Sequence, residues 1–222
     1  MARVLITGAA GGIGIELVRH YLAVGDEVIA VCRDPGPGLS ALRCERVDDA
    51  DLTRAQGIER VATAVAGRRL DLVIHNAGLL RRDDYASLAS AGADIRAQFE
   101  LNALAPLLLT AALDASLGEG SKLALISSRM GSVGDNSSGN YYGYRMSKAA
   151  LNIAGRSLAI NLRERGIAVA LLHPGFVRTP MTAGAGDLDP AESARLLAQR
   201  IAALDLASSG RFWHARGEVL PW

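Results

Sequence analysis

The chain is poor in several things that would point to particular functions. It has two cysteines in 222 residues, Cys32 and Cys44. That is too few, and too irregularly spaced, for a disulfide framework or a zinc site, so both read as free thiols of a reducing compartment and no metal is expected. No charge dominates: 24 Lys and Arg stand against 23 Asp and Glu. The chain therefore offers no basic stripe to nucleic acid and no acidic surface to cationic partners. No apolar run reaches the roughly 20 residues that a bilayer-spanning helix needs. The stretch "LNALAPLLLTAALDASLG" is interrupted by Asn102, Pro106 and Asp114. The opening "MARVLITG" enters a strand-like run without the basic and apolar regions of a signal peptide. The expectation is a soluble, cytoplasmic protein with neither membrane nor nucleic-acid partner.

No long Pro/Gly/Ser stretch divides the chain either. Half of its residues are hydrophobic and 21% are charged, which suits a packed core and not a disordered chain. Short runs rich in Val, Ile and Leu alternate with longer amphipathic stretches. "RVLIT" (3–7), "EVIAVC" (27–32), "LDLVIHN" (70–76), "KLALISS" (122–128) and "IAVALLH" (167–173) are apolar on both faces. That is the character of parallel strands covered by helices on both sides. A weaker strand is expected at Arg43–Val47 and a last one at "RFWH" (211–214). Helices are expected over 12–24, 53–66, 94–116, 141–164 and 190–204, each long enough for a right-handed crossover. "DPGPGLS" (34–40) reads as a loop. The whole chain, 1–222, is expected to form one α/β domain. Its architecture would be a doubly wound, Rossmann-type, mainly parallel sheet of about seven strands with helices on both faces. Ligands of such sheets gather at the carboxyl ends of the strands, so motifs there carry the functional reading.

"TGAAGGIG" (7–14) follows the first strand and opens the first helix. Gly8 suits the tight turn, Gly12 a close approach of backbone to ligand, and Gly14 the packing of helix on strand. The helix start adds unpaired N–H groups and a positive dipole end, a seat for pyrophosphate. The spacing is Gly-x3-Gly-x-Gly, not the Gly-x-Gly-x2-Gly of the usual dinucleotide fingerprint.

"NSSGNYYGYRMSKAA" (136–150) holds three tyrosines within four positions. A phenol, with a pKa near 10, exchanges protons readily at neutral pH only beside a cation that stabilises the phenolate. Helical residues four apart share a face. Tyr144 stands four before Lys148, Tyr141 four before Arg145, and Tyr142 four before Met146. Spacing alone sets Tyr142 aside and leaves Tyr144 and Tyr141 as rivals.

These motifs, in this order, resemble the short-chain dehydrogenase/reductase family. Thr7, Gly8, Gly12 and Gly14 match its Thr-Gly-x3-Gly-x-Gly, and "NAG" (76–78) follows the fourth strand. Asn102 lies within the 94–116 helix and Ser128 ends the fifth strand. "YRMSK" (144–148) supplies Tyr-x3-Lys, and "HPGFVRTPM" (173–181) supplies Pro-Gly-x3-Thr after the sixth strand. The match runs over nearly the whole chain. "SSRMGSVGDNSSGNYYGYRMSKAALN" and "GEVLPW" are similar to the subgroup of sniffer-type carbonyl reductases and C-factor signalling proteins. His75 stands where the family ordinarily has a second Asn, and reads as a tolerated substitution on the strand. Ser128 and Tyr144 are further apart than in many members. The extra residues fall in "GSVGDNSSGNYY", a loop expected beside the substrate and shared with the subgroup.

The resemblance implies Asn102, Ser128, Tyr144 and Lys148 as the catalytic set. Tyr144 would protonate the substrate oxygen, and the slim ammonium of Lys148 would reach the nicotinamide ribose beneath it. Ser128 is preferred to Ser127 because strand residues alternate in direction and the family serine stands as Ser-x2-Gly, here Ser128 to Gly131. Asn102 would kink its helix and hold a water linking Lys148 to solvent. The implied cofactor contacts are Gly8, Gly12, Ile13, Gly14, Asn76, Ala77, Gly78, Tyr144, Lys148, Pro174, Gly175, Val177 and Thr179. Asn76 would line the adenine ribose and Thr179 would hold the nicotinamide carboxamide. Asp48 would approach the adenine, with Asp51 as its rival.

At the end of the second strand an acidic side chain would bond the ribose 2′-OH of NAD, whereas arginine holds the 2′-phosphate of NADP. Cys32 takes the acidic position, Arg33 follows, and Asp34 comes one residue late. NADP(H) is favoured and NAD(H) stays open. The expected activity is hydride transfer between NADP(H) and a carbonyl/alcohol pair, in the direction of aldehyde or ketone reduction. The alternatives are an NAD-dependent alcohol dehydrogenase and a dinucleotide-binding signalling protein. The loops after strands four to six and the small-residued segment 181–194 are expected to build the site of a small-molecule substrate, with Trp213 and His214 packing on the edge strand. The resemblance further implies a homodimer or homotetramer through helices 94–116 and 141–164.

Overall fold

The computed structural model describes residues 1–222. Seven strands pair as one parallel sheet: β1 Arg3–Thr7, β2 Glu27–Val31, β3 Glu45–Val47, β4 Leu72–His75, β5 Lys122–Ile126, β6 Ala168–His173 and β7 Phe212–His214. Their spatial order is β3-β2-β1-β4-β5-β6-β7. The chain builds outward through β2 and β3, returns to place β4 beside β1, then builds outward the other way. Val4 of β1 pairs with Val28 on one side and Leu72 on the other. The reversal between β1 and β4 opens a crevice at their carboxyl ends, the ligand position of a doubly wound sheet.

The helices are α1 Gly12–Ala23, α2 Gly36–Ser40, α3 Ala55–Ala64, α4 Gly92–Phe99, α5 Ala105–Ala112, α6 Tyr142–Asn161 and α7 Pro190–Ala202. On one face Val4, Ile6, Val28 and Ala30 meet Leu17 and Val18 of α1 and Leu197 and Ile201 of α7. On the other, Leu5, Val73, Leu125 and Leu171 meet Val61 of α3, Leu109 of α5 and Leu151 of α6. Alternate strand residues feed alternate layers, so both sets must be apolar. Each buried Leu or Ile contributes about 1.5–3 kcal/mol by leaving water.

Two elements depart from the sequence reading. The expected loop at 34–40 contains the short helix α2, entered through Pro35 and pinned by the buried Leu39. The Asp34 carboxylate accepts the Gly36 N–H at 2.9 Å and helps to start it. The expected 94–116 helix, with the kink the resemblance implies at Asn102, is fully broken into α4, a π-helical turn Glu100–Leu104 around Asn102, α5 and a 3-10 turn Asp114–Ser116. Pro106 is the physical cause. It has no N–H to return to Asn102, and its ring would press on that carbonyl. The hydrogen-bond ladder widens instead, with the Ala105 N–H reaching the Glu100 carbonyl. Elsewhere the element ends shift by a few residues; β5 stops at Ile126, leaving Ser127 and Ser128 beyond it. No helix is long and apolar enough to cross a membrane.

Candidate active site

The carboxyl ends of β1, β2 and β4 border a cleft of about 450 Å³. Its walls are Gly8, Ala10 and Gly11 of the glycine loop, Val31–Asp34, Ala50–Thr53, Ala77, Gly78 and Leu101. Gly8 holds a φ of +64°, and a Cβ there would lie 2.7 Å from Ala77 Cα. At Gly14 a Cβ would run into the Gly8 carbonyl oxygen, so helix and strand meet only because that side chain is missing. Gly12 faces Thr179, whose Cγ2 would stand 3.4 Å from a Cβ. Asn76 straps the loop to β4: its Nδ2 donates to the carbonyls of Thr7 at 3.1 Å and Gly8 at 3.2 Å. The Thr7 hydroxyl accepts the N–H groups of Asn76 and Ala77. No side chain caps α1 and no acidic residue stands in its first turn. The Gly14 N–H turns back to the Gly11 carbonyl at 3.0 Å, and the N–H groups before it, with the positive dipole end, are open to an anion. A glycine cradle, an uncapped helix start and Arg33 on the wall fit the phosphates of a dinucleotide.

Of the acidic residues at this end, Asp34 and Asp51 line the cleft, and Asp48 is bonded to the wall residue Cys32. Asp48 accepts the Cys32 thiol at 3.4 Å and pairs with Arg46 at 3.3 Å, which holds it against β3. Asp51 accepts the N–H and hydroxyl of Thr53, and these bonds keep its carboxyl below the usual range. Burial, aided by Asp48, pushes the Cys32 thiol up to about 12, so the cleft wall carries a neutral thiol where an acid could have stood.

One strand further along, Ser128 opens the 3-10 turn Arg129–Gly131, its Oγ accepting the Met130 N–H at 3.2 Å. Ser127 points the other way and donates to Asn152 Oδ1 at 2.6 Å in the core. Tyr144 and Lys148 lie one turn apart on the buried face of α6. Lys148 Nζ donates to the Ile126 carbonyl at 2.7 Å and stands 5.8 Å from the centre of the Tyr144 ring. Burial pushes Tyr144 up to about 12, against a smaller downward pull from Ser128. Burial also lowers Lys148 to about 8. At this separation desolvation outweighs the lowering of the phenol expected from the neighbouring cation.

Asn102 sits fully buried in the π turn. Its Oδ1 accepts the Leu79 N–H at 2.7 Å, while its Nδ2 donates to the Leu79 carbonyl at 2.8 Å and to Ser147 Oγ at 2.9 Å. Ser147 in turn donates to the Tyr144 carbonyl at 2.8 Å. The side chain thus ties the loop after β4 to the turn of α6 that carries Tyr144. Tyr141 and Tyr142 remain partly exposed at the start of that helix. The Arg145 guanidinium donates to the carbonyls of Gly139 and Asn140 and to Ser138 Oγ, fixing the preceding loop.

The remaining candidates lie around these centres. Ile13 packs into the α1 layer, Gly175 holds a φ of +93°, and the Pro174 carbonyl accepts Ser193 Oγ at 2.8 Å. The buried Val177 bridges to Leu188, so segment 181–194 folds back on residues 176–178. His75 is a core residue, 2.9 Å from the Thr110 hydroxyl and lowered by burial to about 4. Trp213 and His214 belong to the edge strand β7. The sequence reading missed Thr53, Asp83 and Gln98, whose roles depend on partners brought near by folding and on no local motif.

A family model described as short chain dehydrogenase matches residues 2–188. The chain is 38% identical to 1-hydroxy-2-glutathionyl-2-methyl-3-butene dehydrogenase of Rhodococcus sp. (strain AD45), covering 100% of both proteins. It is 40% identical to C-signal of Myxococcus xanthus over 72% of this chain and 98% of that protein. The crystal structure of NADPH-bound carbonyl reductase from chicken fatty liver superposes with a TM-score of 0.89 at 31% identity, covering 100% of this chain and 99% of that one. The order of the motifs, the strand order and these likenesses agree, and the chain belongs to the short-chain dehydrogenase/reductase family of NAD(P)-dependent oxidoreductases acting on small molecules.

Proposed function

We propose that the chain transfers hydride between NADP(H) and a carbonyl/alcohol pair, and works as a reductase of aldehydes or ketones. The observation that carries this reading is the buried Tyr144, with Ser128 and Lys148 beside it, one strand from the dinucleotide cleft. When bound, NADPH supplies the hydride that goes to the carbonyl carbon. Ser128 donates to the substrate oxygen and holds it as charge develops there. Tyr144, kept protonated by burial, gives that oxygen its proton. Lys148, lowered to about 8, sits close enough to neutrality to return a proton to the phenolate. Asn102 holds the geometry of this relay through Leu79 and Ser147.

Arg33 on the cleft wall, with a neutral Cys32 before it, supports NADP(H) over NAD(H). Asp51, Ala77 and Gly78 would face the adenosine half, and Gly12, Val177 and Thr179 the nicotinamide half. Oxidation of an alcohol would use the same residues in reverse. The Rhodococcus relative is named for a dehydrogenation of a glutathionyl alcohol and matches end to end, so that direction belongs in the test. The C-signal likeness makes binding without turnover the third outcome.

The test follows cofactor absorbance against aldehydes, ketones, quinones and glutathione-conjugated alcohols, with both nicotinamide cofactors. NADPH-dependent reduction of carbonyls is expected. A preference for NADH, or turnover of alcohols alone, would replace the reductase reading with the dehydrogenase one. Tight NADPH binding without turnover would favour a signalling role.

We also propose a homodimer through α5 and α6. Leu107 and Leu108 are exposed on α5, next to the exposed Leu104 of the π turn, and Met146, Ile153 and Ile160, seven residues apart, form an exposed stripe on α6.

A further inference from the structure

The helix that carries Tyr144 and Lys148 starts without a cap of its own. Tyr141, at the capping position, has a φ of +53°, and no local side chain meets the first N–H groups of α6. Asn140 before it is also left-handed, at +51°. Two consecutive non-glycine residues in that region are costly and persist only where surrounding structure holds them. The partner comes from the loop after β4. The Asp83 carboxylate accepts the Tyr142 N–H with Oδ1 and the Gly143 N–H at 3.0 Å with Oδ2. The Asp83 carbonyl accepts the Tyr141 N–H at 2.8 Å. Asp83 is only 6% exposed, so its charge is spent on two successive backbone donors while its carbonyl takes the N–H before them.

That loop is itself tied down on every second residue, first to the broken helix and then to α6. Leu79 is held by Asn102, Arg81 donates its N–H to Gln98 Oε1 at 2.9 Å, and Asp83 holds α6. α4 and α6 can approach this closely because residue 143 is glycine. A Cβ there would lie 2.5 Å from Gln98 Nε2 and 3.1 Å from Ile95 Cα. Tyr144 is the next residue.

We propose that Asp83 is a positioning residue for the reaction: supplied from outside α6, its carboxylate fixes the height and rotation of the turn that carries Tyr144 and, through it, of Lys148. The proposal rests on the reading of Tyr144 as the acid. Asp83 touches neither substrate nor cofactor and acts through the helix. A cap at this place does more than stabilise, because a misplacement of about 1 Å in a reacting group costs on the order of a hundredfold in rate.

The test compares wild type with Asp83→Ala, Asp83→Asn and Tyr144→Phe by kinetics, NADPH titration, thermal melting and amide hydrogen exchange. Asp83→Ala is expected to lower kcat about 10- to 100-fold, with NADPH affinity and carbonyl KM within about twofold of wild type. Asp83→Asn keeps one acceptor oxygen and is expected to recover part of that loss. Exchange at Tyr142, Gly143 and Tyr144 is expected to quicken about fivefold or more in Asp83→Ala. The exchange readout does not depend on having found the substrate. Asp83→Ala with wild-type kcat, or with unchanged exchange through Tyr144, overturns the proposal even if its melting temperature falls. Wild-type turnover in Tyr144→Phe would instead remove the acid assignment, a separate failure.

Discussion

Lys148 carries two opposed demands: a charge near a phenol, and burial in a helix–sheet interface. Its folded value of about 8 lies below the ordinary 10.5, so its proton is held more tightly in the unfolded chain. Its stabilising contribution is therefore present above pH 10.5 and is lost as the pH falls towards 8. Tyr144 behaves oppositely: raised from 10.0 to about 12, it contributes stability below pH 10 that is lost as the pH approaches 12. In urea melts across pH 8–10.5, the stability of wild type relative to Lys148→Met should rise with pH. A pH-independent difference would contradict the assignment. Arg33 makes a separate prediction at the cleft. Loss of a charge-assisted phosphate contact is worth about 1.5–3 kcal/mol, so Arg33→Ala should weaken NADPH binding about 10- to 100-fold and leave NADH nearly unchanged. Equal weakening of both would remove Arg33 from the 2′-phosphate. The pairing of Tyr144 with Lys148 was readable in the sequence because four-residue spacing on a helix is a local property. The surroundings of Asp48 and Asp51 were not, because they depend on the partners each carboxylate meets on folding: Arg46 and the Cys32 thiol for Asp48, Thr53 for Asp51.

At the scale of elements, the site depends on how closely α6 lies on the turn after β5. Gly131 makes that contact: a Cβ there would stand 2.7 Å from the Lys148 carbonyl carbon and 2.8 Å from its Cβ. Backbone on both sides cannot yield, so Gly131→Ala should cost about 1–3 kcal/mol of stability. It should also depress kcat, by pushing Lys148 away from the turn that begins at Ser128. A melting temperature and kcat equal to wild type would show that the two elements are not held in this register. The strands were legible because two-sided burial demands continuous apolar runs, and those runs are local. The break in the 94–116 helix was only half legible. Pro106 and Asn102 were both visible as interruptions, but whether a proline ends, kinks or widens a helix depends on what surrounds it. Here Leu79 and Ser147 hold Asn102 inside the widened turn. Helix α2 was missed because five residues rich in glycine and proline form it only with Leu39 anchored in the core.

At the scale of the whole molecule, strand order brings together residues that are remote in sequence: the glycine loop after β1, Arg33 after β2, and Ser128 after β5. The alternation of strands and helices was enough to expect this arrangement, since it leaves few ways to wind a parallel sheet. The edges of the molecule are less determined. If α5 and α6 form a two-fold contact, wild type should sediment as a dimer, and Ile153→Glu, on an exposed side chain, should give a folded monomer. A wild-type monomer would contradict that contact. If Tyr144 passes a proton to the substrate oxygen while dinucleotide binding depends on other residues, turnover and binding separate on mutation. The most direct measurement is NADPH-dependent carbonyl reduction by wild type, Tyr144→Phe and Tyr141→Phe, with NADPH binding titrated for each. Tyr144→Phe is expected to lose about 10²- to 10⁴-fold in turnover while still binding NADPH, and Tyr141→Phe to keep its activity. Turnover that survives in Tyr144→Phe and collapses in Tyr141→Phe would move the acid to Tyr141.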